Sequence, residues 1–260
     1  MRILYFGMLG TLSSLPLLAL LEAGCEVVGL VMSVERVPPY LVTNGRLPIQ
    51  LINTSSSPNL LSQHVMTLEI ASQHQLPVYA VQSFKSPETH YILKALAPDI
   101  ICVSCFSHRL PPQILQIPTA GCLNVHPSLL PQFRGAAPIF WAFRQGVQET
   151  GVSIHWMDEG FDTGDVVAQR PFRLSNGISA PETEWALAHM GGQLLVEVLE
   201  QLAANQVSAT RQPTGGYAAP WPAASDFELD LSWTAQRAYN FMWGTQGWKR
   251  PYFIVLNGQN

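Results

Sequence analysis

Lysine is scarce in this chain: three stand against eleven arginines, and the formal net charge is −4. No run of Lys and Arg forms a basic stripe or tail. Grip on a polyanion depends on clustered cations that displace counterions, so the composition gives no support for extensive nucleic-acid contact. Charged residues make up only 12 % of the sequence and hydrophobic ones 47 %, which suits a sizeable buried core. No apolar run reaches the roughly 18 residues of a membrane span. The first seven residues break into glycine too early for a secretory leader, so a cytoplasmic location is expected.

Cysteine is equally sparse, with four in all. Cys102 and Cys105 have C-x-x-C spacing, but they lie in an apolar strand-like stretch and no second ligand pair exists for zinc. A structural role is expected for them, and no metal. A dinucleotide fingerprint is also missing. The loop after the first strand carries Gly7 and Gly10 without a third glycine, and no acidic residue ends the second strand to hold a ribose.

What is present reads as a doubly wound, mostly parallel α/β sheet. A strand over residues 2–6, a helix over 15–23 and a strand over 27–31 open it. Residues 33–62, rich in Pro, Asn, Ser and Thr, read as one long surface loop. Helices over 61–74 and 88–96 flank a short strand at Val78. Near-continuous apolar runs at 99–104 and 121–125 predict buried parallel strands. A helix over 137–144 and strands over 151–157 and 166–172 follow. Thr183 is the expected cap of a long helix reaching about residue 204, with Ala186, Met190, Leu194, Val198 and Leu202 as its buried face. These elements make one domain over residues 1–204. A linker over 205–231 and a short C-terminal appendage over 232–260 complete the chain. In the appendage, residues 252–256 read as a strand without a partner.

The chemistry is concentrated in two places. Asn124 and His126 stand where a buried strand ends, two residues apart, so both side chains face the same way. An amide and an imidazole together suit a developing oxyanion. Pro127 and Pro131 stiffen the loop behind them. The second place is the run from Asp158 to Asp165, with four carboxylates in eight residues. Its spacing does not fit an EF-hand. One carboxylate there could take a proton from a nucleophile, or the acids could simply satisfy backbone amides in a turn. His108 and His155 equally suit partly buried structural imidazoles.

Residues 124–131, Arg134 to Ile139, Gly151 to Ile154 and Asp162 to Asp165 together resemble the 10-formyltetrahydrofolate-dependent formyltransferases. The branch acting on methionyl-tRNA is the nearest likeness, and a weaker one extends over residues 1–202 and 233–256. The resemblance implies a Rossmann-like formyltransferase sheet, 10-formyltetrahydrofolate as co-substrate and a primary amine as acceptor. It also implies that Asn124 and His126 bind the formyl oxygen. Asp162 would take up the amine proton through a water and help keep His126 protonated. Main-chain groups of His108, Leu110, Met157, Asp158 and Glu159 would hold the pterin, and a cis peptide is expected at Leu130–Pro131.

Against the tRNA-acting branch, residues 33–62 offer only Arg36 and Arg46 with Glu35, and the C-terminal region is short. A small amine, such as an amino sugar nucleotide, is therefore the alternative acceptor, and hydrolysis of the folate donor the alternative reaction. The unpartnered segment 252–256 is expected to dock on its own catalytic domain, pair with the same strand of a second copy or stay disordered, with a homodimer through that segment preferred.

Overall fold

Eight strands form a single sheet in the order β3-β4-β2-β1-β5-β6-β7-β8 in a computed structural model that describes residues 1–36, 47–52 and 66–255. In chain order the elements are β1 (Arg2–Phe6), α1 (Thr11–Glu22), β2 (Glu26–Ser33), β3 (Ile49–Ile52), α2 (Met66–Gln73), β4 (Val78–Val81) and α3 (Pro87–Ala95). They continue as β5 (Ile100–Ser104), α4 (Pro112–Leu115), β6 (Cys122–His126), α5 (Pro138–Gln145), β7 (Glu149–Trp156), β8 (Val166–Arg173), α6 (Ala180–Ala203) and α7 (Ala235–Thr245). The central strands β4, β2, β1, β5 and β6 run parallel, while β3, β7 and β8 add antiparallel pairs at the two sides. β5, all five of whose residues are buried, has the apolar run expected of a strand covered on both faces.

Part of the stretch expected to be loop is a strand. Ile49 to Ile52 pairs antiparallel with β4, with Ile49 opposite Val81. Alternation is muted there because Ile49, Gln50 and Ile52 are all buried, and only Leu51 faces out. The rest of that segment and the start of the helix expected from residue 61 lie outside the described residues.

The long helix starts earlier than expected. Ser179, not Thr183, is its cap: Ser179 Oγ accepts the Glu182 N–H, and Glu182 Oε2 accepts the Ser179 N–H in return. Thr183 sits in the first turn with its hydroxyl donating to the Ser179 carbonyl. Its buried face is also rotated from the expected one. Successive i, i+4 steps drift by roughly 40° around a helix of 3.6 residues per turn. Ala186, Met190 and Leu202 are therefore only half-buried, and Leu187, Leu194, Leu195, Val198 and Leu199 fill the core. Where α6 crosses the sheet and α1 it carries Gly191 and Gly192. A Cβ at Gly191 would stand 2.7 Å from Val125 Cγ1 of β6, and one at Gly192 would stand 2.8 Å from Ala19 Cβ. The glycines let α6 press directly on the strand that bears Asn124 and His126.

The C-terminal segment packs on α5. Phe140 meets Phe227, Phe241 and Trp248 at ring distances of 5.1, 5.7 and 5.5 Å, and Arg144 lies 4.7 Å over Trp233. The strand expected over residues 252–256 reduces, within the described residues, to one bridge. Phe253 donates to the Phe227 carbonyl and accepts the Leu229 N–H. Phe253 thus pairs with residues 227–229 of the linker, not with the catalytic domain over residues 1–204.

Candidate active site

The Leu130–Pro131 bond is cis, as anticipated, in the loop that leaves β6. That loop is tied to the sheet by Ser153 of β7, which donates to the Ser128 carbonyl at 2.6 Å and accepts the Leu130 N–H at 3.0 Å. Gln169 of β8 closes the network, donating to the Leu130 carbonyl and to Ser153 Oγ. A loop so held can fix the groups it presents to the site.

One of those groups is the Phe133 carbonyl, which accepts the Nε2–H of His126 at 2.9 Å. This sets the tautomer and leaves Nδ1 facing Asp162, 3.6 Å from Oδ2. That separation is beyond a direct hydrogen bond but within electrostatic reach. Asn124 donates through Nδ2 to Asp162 Oδ1 at 3.3 Å and to His155 Nε2 at 3.1 Å. His155 is fixed by its own Nδ1–H, which reaches the Trp156 carbonyl at 2.8 Å. The second oxygen of Asp162 accepts the Gly135 N–H at 2.8 Å. Asn124, His126 and Asp162 thus converge, and His155 joins them.

The charges follow from these contacts. Burial works against ionisation of Asp162, but the facing His126 and His155 imidazoles and the Gly135 N–H outweigh it and hold the carboxyl well below the usual carboxylate range. Burial lowers the pKa of His126 and is only partly offset by Asp162 and the Phe133 carbonyl. Asp162 does push His126 toward its charged form, as the resemblance implies, but burial is the larger influence.

Sequence reasoning left His155 with a structural imidazole as an equal reading and gave it no place beside Asn124. In β7 it pairs directly opposite Asn124, and Ser153 pairs opposite His126. The signal was available: Ser153 and His155 are two apart between buried Val152 and Ile154, the same polar alternation that marks Asn124 and His126. Gln212 was missed as well, and no local pattern announces it.

The residues expected around the pterin follow β5 (His108, Leu110) and β7 (Met157, Asp158, Glu159). His108 is exposed, with its ring 6.0 Å from Phe84 and 6.1 Å from Phe106. Leu110 is buried in the core. Met157 is half-buried and spends its N–H on the Cys122 carbonyl at 2.8 Å. Asp158 and Glu159 are exposed, and the Asp158 carboxylate accepts from the Gly160 N–H and the Thr163 hydroxyl, which is the turn-stabilising role. Phe161 projects beside Asp162, with the Arg109 guanidinium 5.6 Å over its ring.

Burial raises the Cys102 thiol far above its ordinary value and pushes Cys122 up to about 12, so both are inert core fillers. Among the described residues no group of three His, Cys, Asp or Glu is placed to hold a metal ion, and no helix is long and apolar enough to cross a membrane.

Comparison with known proteins gives the family and the fold. The family model described as formyl transferase matches residues 49–199. The methionyl-tRNA formyltransferase of Pelotomaculum thermopropionicum is 35 % identical over 239 residues, which is 90 % of this chain and 70 % of the relative. That of Clostridioides difficile is 36 % identical over 187 residues, covering 71 % of this chain and 60 % of its own length. A Synechococcus homologue of the same name is 35 % identical across 100 % of this chain and 75 % of itself. The chain thus spans between 60 % and 75 % of these relatives. Among solved structures, the N-formyltransferase of Helicobacter canadensis, in complex with folinic acid and dTDP-3-aminofucose, superposes with a TM-score of 0.66 at 14 % identity, covering 98 % of this chain and 84 % of that one. A likely sugar N-formyltransferase from Mycobacterium tuberculosis gives 0.62 at 18 %, covering 93 % and 86 %. At these identities the structural likeness speaks for the fold.

Proposed function

The chain belongs to the formyl transferase family, and on that premise we propose that it carries the formyl group of 10-formyltetrahydrofolate to a primary amine at the cluster of Asn124, His126 and Asp162. The observation that carries the reading is the convergence of those three side chains at the end of β6. In the reaction the amine nitrogen attacks the formyl carbon and a tetrahedral oxyanion forms. The bond to N10 of the folate then breaks, and N10 gains the proton that the amine has lost. Asn124 Nδ2 is the donor to that oxyanion, His126 Nδ1 can donate to it only once protonated because the neutral ring keeps its proton on Nε2, and Asp162 is the base that takes the amine proton, directly or through a water. Both Asn124 hydrogens are engaged within the cluster, so one must be redirected to the formyl oxygen as charge develops there. The main chain of His108, Leu110, Met157, Asp158 and Glu159 would hold the pterin, with the Met157 N–H already given to the Cys122 carbonyl.

The acceptor is the finer question. The curated relatives named above are methionyl-tRNA formyltransferases, which makes the aminoacyl end of that tRNA the first acceptor to test. The three lysines and the net charge of −4 favour a second reading, a small amine such as an amino sugar nucleotide. Incubation with 10-formyltetrahydrofolate and methionyl-tRNA, an amino sugar nucleotide or no amine separates the readings. Turnover that requires one of the amines identifies the acceptor class. Equal turnover without any amine means hydrolysis and defeats transfer. Nanomolar binding of the tRNA that weakens steeply with salt would defeat the small-amine reading.

A further inference from the structure

Gln212 is a buried polar side chain that the chemistry above leaves unused. It comes from the segment after α6, which returns to the sheet by a two-bond bridge between Thr210 and Val166 and then runs beside the loop after β6, bridging Arg134 through Ala218. Its carboxamide is fully engaged. Oε1 accepts from Arg134 Nε at 2.9 Å and Nη2 at 2.6 Å. Nε2 donates to the main-chain carbonyls of Asp162 at 2.8 Å and Gly164 at 2.7 Å. Only this orientation is possible, because a reversed amide would set its NH₂ against a guanidinium and its oxygen against two carbonyls.

The place it holds needs holding. Asp162 adopts a left-handed backbone, with φ at 53°. For a residue with a side chain that conformation costs roughly 1–2 kcal/mol, and it persists only where surrounding contacts enforce it. The turn from residue 157 to 165 has no helix or strand of its own to do so. On the other side of the carboxylate, Arg134 precedes Gly135, whose N–H is accepted by Asp162 Oδ2. Gln212 therefore ties together the two segments between which the carboxylate is suspended.

We propose that Gln212 is a positioning residue: by clamping the Asp162 and Gly164 carbonyls to Arg134, it aims the Asp162 carboxylate at His126 and at the reacting amine. The inference rests on the role given to Asp162 above. It makes the stretch after α6 a working wall of the site.

The test uses Gln212→Ala and Gln212→Glu in the full chain. Glutamate keeps an oxygen for Arg134 but loses both N–H donors and sets a carboxylate against two carbonyls. Both variants are expected to lower kcat by about tenfold to hundredfold, the scale of a small misplacement of a reacting group, with KM for the folate little changed. A second readout is independent of activity. Nitrogen-15 NMR of the His126 ring should show its pKa falling further in the variants, because the Asp162 carboxylate that raises it has moved away. A Glu variant with wild-type kcat and an unchanged His126 titration, a lowered kcat with unchanged His126 titration, or failure of both variants to fold would each overturn the positioning role. A shifted titration with undiminished kcat would leave the positioning intact and place the error in the function given to Asp162.

Discussion

Asn124 Nδ2 lies 3.1 Å from His155 Nε2, across the antiparallel pair that joins β6 to β7. Because His155 Nδ1–H is already given to the Trp156 carbonyl, Nε2 is the acceptor in the neutral ring. The contact pins the amide that would donate to the formyl oxygen. Replacing His155 with leucine strands one buried N–H and should cost about 1–3 kcal/mol of stability, together with a fall in kcat. Glutamine, whose carbonyl can accept in the same direction, should restore much of both. Thermal unfolding and steady-state kinetics on the two variants check this. A leucine variant as stable and active as wild type would show that the pin is idle.

Asp162→Asn keeps the shape of the side chain and an oxygen for the Gly135 N–H but removes the charge and the base. Transfer should fall by about 10²–10⁴-fold in kcat, the usual contribution of a positioned general base. Binding of the folate, read by fluorescence titration, should change little. Loss of folate binding in parallel with activity would assign Asp162 to ligand capture instead.

The site should make the protein sensitive to acid in two separate windows. His126 is held below its ordinary value of 6.5, so the unfolded chain takes up that proton first as pH falls. Stability is then level above about pH 6.5 and declines below it, down to the lower native pKa. Asp162 is depressed from its ordinary 3.8, so its contribution is present above that value and is lost as pH falls toward the native one. Denaturant unfolding at pH 7.5, 6.5 and 5.5 reads the first window. His126→Gln should flatten the decline, and a decline as steep in the variant would remove His126 as its source.

How much of this was legible in the sequence depends on how local the signal is. Asn124 and His126 declare themselves through two-residue spacing at the end of an apolar strand, and the α/β order follows from successive apolar runs and turns. Asp162 is distinguished from its three acidic neighbours only by the motif resemblance, because carboxylates in a turn look alike until the fold selects one. His155 was concealed by the cross-strand register, which a one-residue slip would have reversed. Ser179 was overlooked because Thr183 lies closer to the apolar face, although the Ser-x-x-Glu box from Ser179 to Glu182 was there to be read. Gln212 is joined to Arg134 and Asp162 across 78 and 50 residues of sequence, and no window of local pattern spans that distance.

The last prediction concerns Gly135, where backbone conformation and site chemistry meet. Its φ is 126°, a region that residues with a Cβ rarely enter, and an added Cβ would lie 2.6 Å from the Ala219 carbonyl oxygen. That carbonyl already accepts the Ala137 N–H at 3.0 Å, so it cannot swing away without breaking the bridge that seats the segment after α6. In Gly135→Ala either the loop or the bridge must shift, and the N–H that Asp162 Oδ2 accepts shifts with it. Strain of this kind costs about 1–3 kcal/mol. In a chain of this size that corresponds to roughly 2–4 °C in Tm for each kcal/mol. The neighbouring Gly215→Ala is the control: its φ of 96° is also unfavourable, but no atom lies within 4 Å of the added Cβ. Both variants should lose stability, and only Gly135→Ala should lose kcat in excess of its unfolded fraction. Equal kcat in the two, measured on folded protein, would disconnect the Gly135 N–H from the working geometry of Asp162.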